Sequence, residues 1–379
     1  MTHTPCHLCA GTLSPIEGYE ALGRVTSDCR PWPAGGSLAV CDSCGTVQKP
    51  TDLAWQGEIG EIYASYAIYS QSGGKEQKVF SGGAGFSRSA VLLDQAAAAL
   101  PVKSSGRLLD VGCGNGELLA NAAQRLPGWR LSGTELSDRH RASIEAIPGV
   151  EGFHTGPDSL DDAPGPFDAV TLVHCLEHVP GPVAMLAVLR EKLAADGRLV
   201  IEVPHFRSNP FDLLIADHCT HFSAAALRRV AEQAGFALDM LRTDLIPKEL
   251  TLIAHAGATP PSPLPKDDGE SARRAVAWLA GVLDQARALA AQGPFGLFGT
   301  AIAGQWLFGC LPDAVSFFVD EDPDRIGREA MGRPVLGPDQ VPPGARIFVP
   351  LAPQVAAALC RRLGPAYIEP LAFPEITPA

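Results

Sequence analysis

Apolar and polar residues alternate along the middle of the chain in a pattern that predicts strands and helices in turn. Short apolar runs, such as Leu108–Val111 and Phe167–Val173, are typical of buried parallel strands. Longer segments with apolar residues at helical spacing separate these runs. The central part of the chain therefore predicts an α/β fold built on a mostly parallel sheet.

The pattern also predicts where the elements lie. Ser223 is expected to cap a helix that Gly235 ends, with Phe222 and Leu227 as its hydrophobic staple. Glu177 and His178 are expected to begin a helix. The predicted helices cover residues 89–100, 117–126, 181–193 and 271–291, with another from 137, and the predicted strands cover 107–111, 129–134, 150–154, 167–173 and 198–203, with an antiparallel hairpin at 236–245 and 249–255.

Composition shifts divide the chain into three predicted domains, at 1–58, 59–256 and 271–379. A proline-rich polar linker over 257–270 separates the last two. The third domain repeats a strand, a glycine turn and a strand that ends in Asp320, which predicts a small Rossmann-like domain. The glycines of this turn either make room for a bound nucleotide, whose ribose Asp320 would contact, or only permit close packing.

The net charge and the short length of the apolar runs limit the classes of partner that the sequence favours. The 379-residue chain has a net charge of −12 and no cluster of Lys or Arg, which disfavours nucleic acid and anionic membranes. No apolar run approaches the roughly 20 residues of a transmembrane helix. The first residues, MTHTPCHLCAG, lack the features of a signal peptide. We expect a cytoplasmic protein with a small-molecule substrate, and its oligomeric state stays open.

Ten cysteines include two C-x-x-C pairs near the N-terminus. Two such pairs are the spacing of a tetrahedral, structural Zn(II) site, which would supply much of the folding free energy of a small module. A redox dithiol or metal-free cysteines are the alternatives. The predicted ligands are Cys6, Cys9, Cys41 and Cys44, and nearby substitutes are His3, His7 and Cys29.

The most specific feature is a glycine-rich turn between a strand and a helix. Asp110 ends the strand, and Gly112, Gly114 and Gly116 leave a backbone against which a ligand can lie directly. The next strand ends in Glu135, whose carboxylate can accept hydrogen bonds from both ribose hydroxyls. The spacing G-x-G-x-G, with an acid, differs from the G-x-G-x-x-G of pyrophosphate-binding dinucleotide sites.

This turn resembles motif I of the class I S-adenosylmethionine (SAM)-dependent methyltransferases. The resemblance continues through FDAVTLVHCLEHVPGP and GRLVIEVP, and it implies a parallel sheet that ends in a hairpin. It implies SAM as the cofactor. The implied cofactor contacts are Asp110, Gly112, Gly114, Gly116 and Glu135, and further candidates are Asp158, Ser159, His174 and Tyr66.

A segment after the fifth strand carries candidate catalytic groups, namely Asp217, His218 and His221. Methyl transfer needs an aligned nucleophile and often removal of its proton, a task that suits histidine. A following helix N-terminus would favour neutral imidazoles. We predict His218 as the base, helped by His221 and Asp217. The alternatives are a purely structural role and a metal site formed by all three residues.

The whole chain resembles the three-part sugar C-methyltransferases, which act on nucleotide-linked ketosugars. Their motif, roughly F-D-x-x-Y-H-E-H-x-x-Y-F-S, is matched at Phe211, Asp212, His218, Phe222 and Ser223, with Asp217 for the glutamate, and it is broken at Ile215, Ala216 and His221. The resemblance implies methyl transfer from SAM to a small polar acceptor, a nucleotide-linked sugar, on carbon or oxygen. The rival readings are an NAD-linked oxidoreductase and a non-catalytic SAM-binding module.

Overall fold

The computed structural model describes residues 4–67, 78–81, 84–99, 104–260, 262–263 and 267–373. Within these ranges the larger sheets have four, seven and six strands. His3 and Tyr69 lie outside the described residues. Most of the glycine-rich segment at 70–87 lies outside them as well. No described helix combines the length and the apolar composition that a membrane-spanning segment needs.

The N-terminal module is an antiparallel sheet that the central region completes. Its fourth strand, Thr220–His221, pairs with Val47–Gln48 and comes from far along the chain. The predicted boundary after residue 58 falls inside the helix Leu53–Ala64, which Asp52 caps through a 2.9 Å bond from Trp55 N. The other strands are Leu13–Pro15 and Ala39–Cys41 in the same sheet and Arg24–Val25 and Pro31–Trp32 in a separate pair.

The central region is the predicted α/β fold, with five parallel strands and an antiparallel hairpin. The strands of its sheet are, in chain order, Arg107–Val111, Arg130–Glu135, Val150–Thr155, Phe167–Val173, Leu193–Pro204, Phe236–Arg242 and Glu249–Ala256. Across the sheet, the third strand is followed by the second, first, fourth, fifth, seventh and sixth. The helices are Arg88–Ala99, Glu117–Arg125, Arg141–Glu145, Pro182–Lys192 and Ala224–Gln233, and a separate strand pair is formed by Lys78–Ser81 and Ala84–Ser87.

The predicted helix cap at Ser223 is confirmed. The Ser223 hydroxyl accepts a hydrogen bond from Ala226 N at 3.1 Å, and Gly235 has a φ of 85° just after the helix. Phe222 and Leu227 are buried in the same apolar cluster, as the staple requires. Local signals therefore position the segment that carries the candidate histidines.

Three predicted elements differ in the structure. The helix expected from residue 137 begins only at Arg141, and Leu193 begins a strand rather than ending a helix. Glu177 and His178 lie in a short 3-10 turn, Leu176–His178. Val179 is extended because it precedes Pro180, and the residue before a proline avoids the helical conformation.

The C-terminal domain is Rossmann-like, as predicted, with five parallel strands and one antiparallel edge strand. A Cβ on Gly304 would overlap the Gly299 carbonyl oxygen, so this glycine permits close packing. Asp320 is ion-paired with Arg325 at 3.2 Å. The helices are Asp268–Ala290, Ile302–Cys310 and Pro353–Leu363, and the strands are Phe295–Phe298, Val315–Val319, Glu329–Ala330, Arg333–Leu336, Arg346–Phe348 and Tyr367–Ile368.

One apolar cluster joins the three parts of the chain. It contains Val25 from the N-terminal module, Leu213 from the central region and Trp306 from the C-terminal domain, all fully buried. The ring of Phe211 lies 5.4 Å from that of Trp278 and 6.0 Å from that of Trp306. The turn that carries Phe211 and Leu213 therefore lies in a core shared with both neighbouring parts.

We predict that Phe211→Ala lowers the free energy of unfolding by about 3–5 kcal/mol, because a buried ring is lost and a cavity remains. Denaturant unfolding followed by tryptophan fluorescence measures the change, since Trp278 and Trp306 lie beside the ring. Leu53→Ala is the control; Leu53 is 85% exposed and should cost less than about 0.5 kcal/mol. Equal stability of the two variants would contradict the shared core.

Candidate functional site

The glycine turn leaves bare backbone at the carboxyl end of the central strand. Gly112, Gly114 and Gly116 have φ values of 69°, 57° and 87°, which favour glycine. A Cβ on Gly112 would lie 2.8 Å from the Cys175 sulfur. The amides of residues 112 and 113 both donate to Thr134 O, at 2.9 and 3.0 Å. The turn is thus held against the neighbouring strand, and its own glycines add no side chains to it.

Glu135 lies beside this turn, as the sequence predicts. Its Oε2 accepts from Gly114 N at 2.9 Å, and its Oε1 accepts from Leu136 N at 2.7 Å. The carboxylate therefore sits at the edge of the sheet where parallel strands end, the usual place of ligand sites in such folds.

Asp110 is 3% exposed and accepts a 2.7 Å hydrogen bond from Thr171 Oγ1. Burial raises the pKa of Asp110 to about 7, and the nearby Glu135 carboxylate acts in the same direction, while the Thr171 hydrogen bond opposes them. A cationic ligand would favour the ionised form. A charged ligand bound beside Asp110 would therefore change the ionisation state of this side chain.

The other predicted cofactor contacts lie around this edge. Asp158 is exposed on the loop after the third strand, while Ser159 is buried there. The Tyr66 carbonyl accepts from the Arg139 side chain, and its hydroxyl oxygen lies 3.2 Å from Ser27 Oγ. Tyr66 therefore links the N-terminal module to the loop that follows Glu135.

His174 lies within a cluster of carboxylates. Its Nδ1 is 3.3 Å from Glu177 Oε1, and its Nε2 is 3.5 Å from Glu202 Oε1 and 3.7 Å from Glu249 Oε1. Burial and Arg88 act to lower the pKa of His174, but the three carboxylates outweigh them and raise it to about 10. The ring is therefore a cation at neutral pH, which suits an ion-pairing role.

His218 and His178 come together at the same edge. His218 Nδ1 donates to Asp212 Oδ1 at 2.8 Å, and the rings of His218 and His178 lie edge to face with centroids 4.6 Å apart. His178 Nδ1 is 3.0 Å from Asp217 O and 3.1 Å from the Tyr63 hydroxyl. A continuous set of groups thus runs from Tyr63, on the helix Leu53–Ala64, to the buried Asp212.

The expected effect of the helix N-terminus on the histidines is wrong for His218. Burial lowers its pKa, but the adjacent Asp212 carboxylate outweighs burial and raises it. For His221, burial lowers the pKa to about 4, and the Lys49 ammonium adds to this effect. The Asp212 carboxylate therefore sets the direction of the His218 shift, and burial sets that of His221.

His221 is fully buried, with both ring nitrogens engaged. Its Nδ1 donates to Asp212 Oδ2 at 2.7 Å, and its Nε2 accepts from Lys49 Nζ at 3.0 Å. Lys49 also donates to the carbonyls of Ile215 and His218, at 2.6 and 3.0 Å. This environment suits a supporting role for His221.

Asp217 is also fully buried and holds the N-terminal module in place. Its carboxylate accepts from the backbone amide and the hydroxyl of Ser27. Of the three predicted catalytic residues, His218 and His221 therefore share Asp212, whereas Asp217 binds Ser27. Among the described residues, the group of histidines and acids with converging ligand atoms here is Glu177, His178 and His218.

The four N-terminal cysteines converge as the sequence predicts. Cys6 Sγ is 3.6 Å from Cys44 Sγ, Cys9 Sγ is 3.4 Å from Cys41 Sγ, and all four sulfurs lie within 4.8 Å of one another. These separations far exceed the roughly 2.05 Å of a disulfide. Backbone amides of Leu8 and Cys44 each approach a cysteine sulfur at 3.4 Å.

The suggested substitute ligands point elsewhere. His7 Nε2 lies 2.7 Å from Thr220 Oγ1, and Cys29 lies near the Ser27 carbonyl. His3 is outside the described residues. Among the described residues, the cluster of possible metal ligands therefore consists of the four cysteine thiols.

Sequence reasoning gave too little weight to three site residues. In the sequence, Tyr63 is one of three tyrosines at helical spacing, a pattern more typical of core packing, and Glu177 and His178 look like the start of a helix. The proline at position 180 was the available signal, because it excludes a helix through residue 179. The partners of Tyr63 follow from tertiary packing and have no local signal.

We predict that Asp110→Asn stabilises the ligand-free protein at pH 8 by roughly 1–3 kcal/mol. The folded-state pKa of Asp110 is raised from 3.8 to about 7, so the folded protein binds the extra proton. Wild-type stability therefore falls, relative to the variant, as the pH rises through this window. Urea denaturation at several pH values measures the difference, which should shrink towards pH 5.

The exposed Asp158 provides a matched control. Asp158→Asn should leave the pH dependence of stability as in the wild type. If the stability of Asp110→Asn matches that of this control at every pH, ionisation of the buried Asp110 carboxyl group does not destabilise the folded protein.

Comparison with known proteins gives a family match for the central sheet. Residues 87–241, less than half of the chain, match a family model described as "Methyltransferase domain". The ubiquinone biosynthesis O-methyltransferase of Xylella fastidiosa (strain 9a5c) is 32% identical over 121 residues, which cover 29% of this chain and 46% of that protein. The enzyme of the same name from Xanthomonas campestris pv. campestris (strain B100) is 35% identical over 117 residues, covering 29% and 48%.

The chain spans about half the length of these curated relatives. Among solved structures, the mitomycin 7-O-methyltransferase MmcR is 18% identical with a TM-score of 0.38, over 45% of this chain and 54% of that chain. That likeness adds nothing to the topology described above. The residues that match the methyltransferase-domain model include the glycine turn, Glu135 and the five parallel strands of the central sheet.

Proposed function

We propose that this protein transfers a methyl group from SAM to a small polar acceptor. The observation that carries the proposal is the methyltransferase-family match over the residues whose glycine turn and Glu135 lie together at one sheet edge. The hydrogen bond from the Gly114 backbone amide to the Glu135 carboxylate joins the two parts of the predicted cofactor site. An NAD-linked oxidoreductase and a non-catalytic SAM-binding module stay as alternatives that the assay below separates.

The residues of this edge fit SAM chemically. SAM supplies an electrophilic methyl group on a sulfonium and carries an ammonium group. Asp110 would face a cationic part of the cofactor, and Glu135 would accept from ribose hydroxyls in place of Gly114 N. Gly112 and Gly114 would let the cofactor approach the backbone. We assign Gly116, Asp158, Ser159, His174 and Tyr66 to the surroundings of the same site.

For the methylated atom we propose oxygen. The curated relatives are named O-methyltransferases. Ile215 stands where the resembled sugar C-methyltransferases have a tyrosine. The three-part organisation of the chain supports a nucleotide-linked sugar as the acceptor, and a carbon atom of that sugar is the alternative.

His218 is the proposed base. Asp212 fixes its Nδ1 at 2.8 Å, which leaves Nε2 to meet an acceptor hydroxyl. His178 packs against the His218 ring, and Tyr63 brings a hydroxyl within 3.1 Å of His178. His221 would hold Asp212 in position from its other oxygen.

Labelled SAM incubated with nucleotide-linked sugars, and product analysis by mass spectrometry, tests the proposal. We expect His218→Ala to keep SAM affinity but to lose at least about a hundredfold in turnover, within the range of general-base catalysis. We expect Glu135→Gln to weaken SAM binding by calorimetry, because a neutral amide accepts hydrogen bonds more weakly than a carboxylate.

Undiminished turnover in His218→Ala would exclude the base, and unchanged affinity in Glu135→Gln would exclude the ribose contact. Binding of SAM without any labelled product would favour the non-catalytic module. Absence of SAM binding, together with binding of NAD, would favour the oxidoreductase.

We also propose that the cysteine cluster holds one structural Zn(II). The sulfur separations of 3.4 and 3.6 Å suit four thiolates around one ion, and the amide contacts to sulfur suit thiolate ligands. Four protein ligands leave no open position, so this metal would stabilise the fold. Free thiols of this kind suit a reducing compartment such as the cytoplasm, where we place the protein.

Cys9→Ser is expected to lower the zinc content of the purified protein from one ion at this cluster to well below one. Zinc binding supplies folding free energy to such modules, so limited proteolysis should cut the variant faster within the first 60 residues. Cys360→Ser, at a cysteine far along the chain, is the matched control. Unchanged zinc content in Cys9→Ser would overturn the assignment.

A further inference from the structure

We infer that Glu177, His178 and His218 form a second metal site, for one divalent ion of the zinc class. The three side chains offer one ligand atom each, and these atoms lie within 4.8 Å of one another. The site is separate from the cysteine cluster and lies at the carboxyl edge of the central sheet. It goes beyond the proposed function, because metal binding needs neither SAM nor an acceptor.

The Glu177 carboxylate is the first argument. Its side chain is only 1% exposed, and neither oxygen has a hydrogen-bond partner among the described residues. His174 Nδ1, 3.3 Å away, forms an ion pair but not an aligned hydrogen bond. The His174 cation offsets part of the charge of Glu177, but both oxygens keep lone pairs without an aligned donor, and a bound metal ion would occupy them.

The orientation of the two histidines is the second argument. Asp212 Oδ1 holds His218 Nδ1 at 2.8 Å, and the Asp217 carbonyl holds His178 Nδ1 at 3.0 Å. Each ring therefore presents Nε2, which has no hydrogen bond to a described residue. Metal-binding histidines are typically held in this way, by a carboxylate or a carbonyl on the other nitrogen. The rings meet at 84° rather than stacking.

Two imidazoles and one carboxylate suit a borderline divalent ion such as Zn²⁺. Unlike four cysteines, three ligands leave a position open for water or for an acceptor oxygen. A hydroxyl bound there would lose its proton more readily, because the metal lowers its pKa. His218 would then hold the ion instead of removing the proton itself.

Titration of the full-length protein with Co²⁺ tests this site. Cobalt bound by cysteines shows thiolate-to-metal charge transfer, whereas cobalt bound by nitrogen and oxygen shows only weaker visible bands. We expect the wild type to bind one equivalent without the thiolate bands, in addition to the cysteine cluster. Glu177→Gln and His178→Gln should each weaken this equivalent at least tenfold.

Two controls separate the sites. His205→Gln changes a histidine outside the group, whose Nδ1 is 3.1 Å from Ser208 Oγ, and should bind cobalt like the wild type. Cys9→Ser should lose the thiolate bands and keep the second equivalent. If that variant does not fold, wild-type protein with zinc retained in the cysteine cluster serves the same comparison.

Binding of cobalt to the cysteine cluster alone would overturn the inference. So would a Glu177→Gln variant that binds the second equivalent as tightly as the wild type. Either result would leave His218 as the proposed base, and the labelled-SAM assay measures methyl transfer independently of metal binding.

Discussion

The candidate site depends on one buried carboxylate, that of Asp212. It is 1% exposed, and it accepts from His218 at one oxygen and from His221 at the other. Burial disfavours its charge, but the two imidazoles outweigh burial and hold the pKa of Asp212 far below its usual range. Lys49 closes the network on the far side of His221. Because a buried charge is tolerable only when its partners are in place, the orientation of His218 depends on all of these groups.

This network lies beside the core in which the three parts of the chain pack together. Asp212 lies in the same turn as Phe211 and Leu213, which pack in the shared core. The N-terminal module adds Lys49 to the network, and the helix that follows it, Leu53–Ala64, brings Tyr63 to His178. The part of the candidate site that contains the histidines is thus built by packing between distant segments, whereas the glycine turn and Glu135 come from a single local unit.

That difference sets what could be predicted from the sequence. The glycine turn, Glu135 and the Ser223 cap have local signals, because each depends on residues a few positions apart or on a strand-helix-strand unit. The four cysteines were also predictable from their spacing, and they converge as expected. These features required no knowledge of how distant segments pack.

The histidines were harder to assign. His218 and His221 are three residues apart, but His221 belongs to a short strand and is turned into the core, while His218 meets His178. The contact between Tyr63 and His178 joins positions 115 residues apart and follows from the docking of a whole helix. Residue spacing does not reveal either of these tertiary contacts. The sequence therefore predicts which region carries the histidines but not which residues they contact.

The strand Thr220–His221 has a consequence for how the chain is made. It is the last strand of the N-terminal sheet, and it pairs with Val47–Gln48. During synthesis on the ribosome, the first three strands emerge long before the fourth, so Val47–Gln48 stays an open sheet edge in the meantime. Lys49 must likewise wait for the carbonyl groups that later surround its ammonium. The nascent N-terminal module is therefore unfinished until most of the central sheet has been translated.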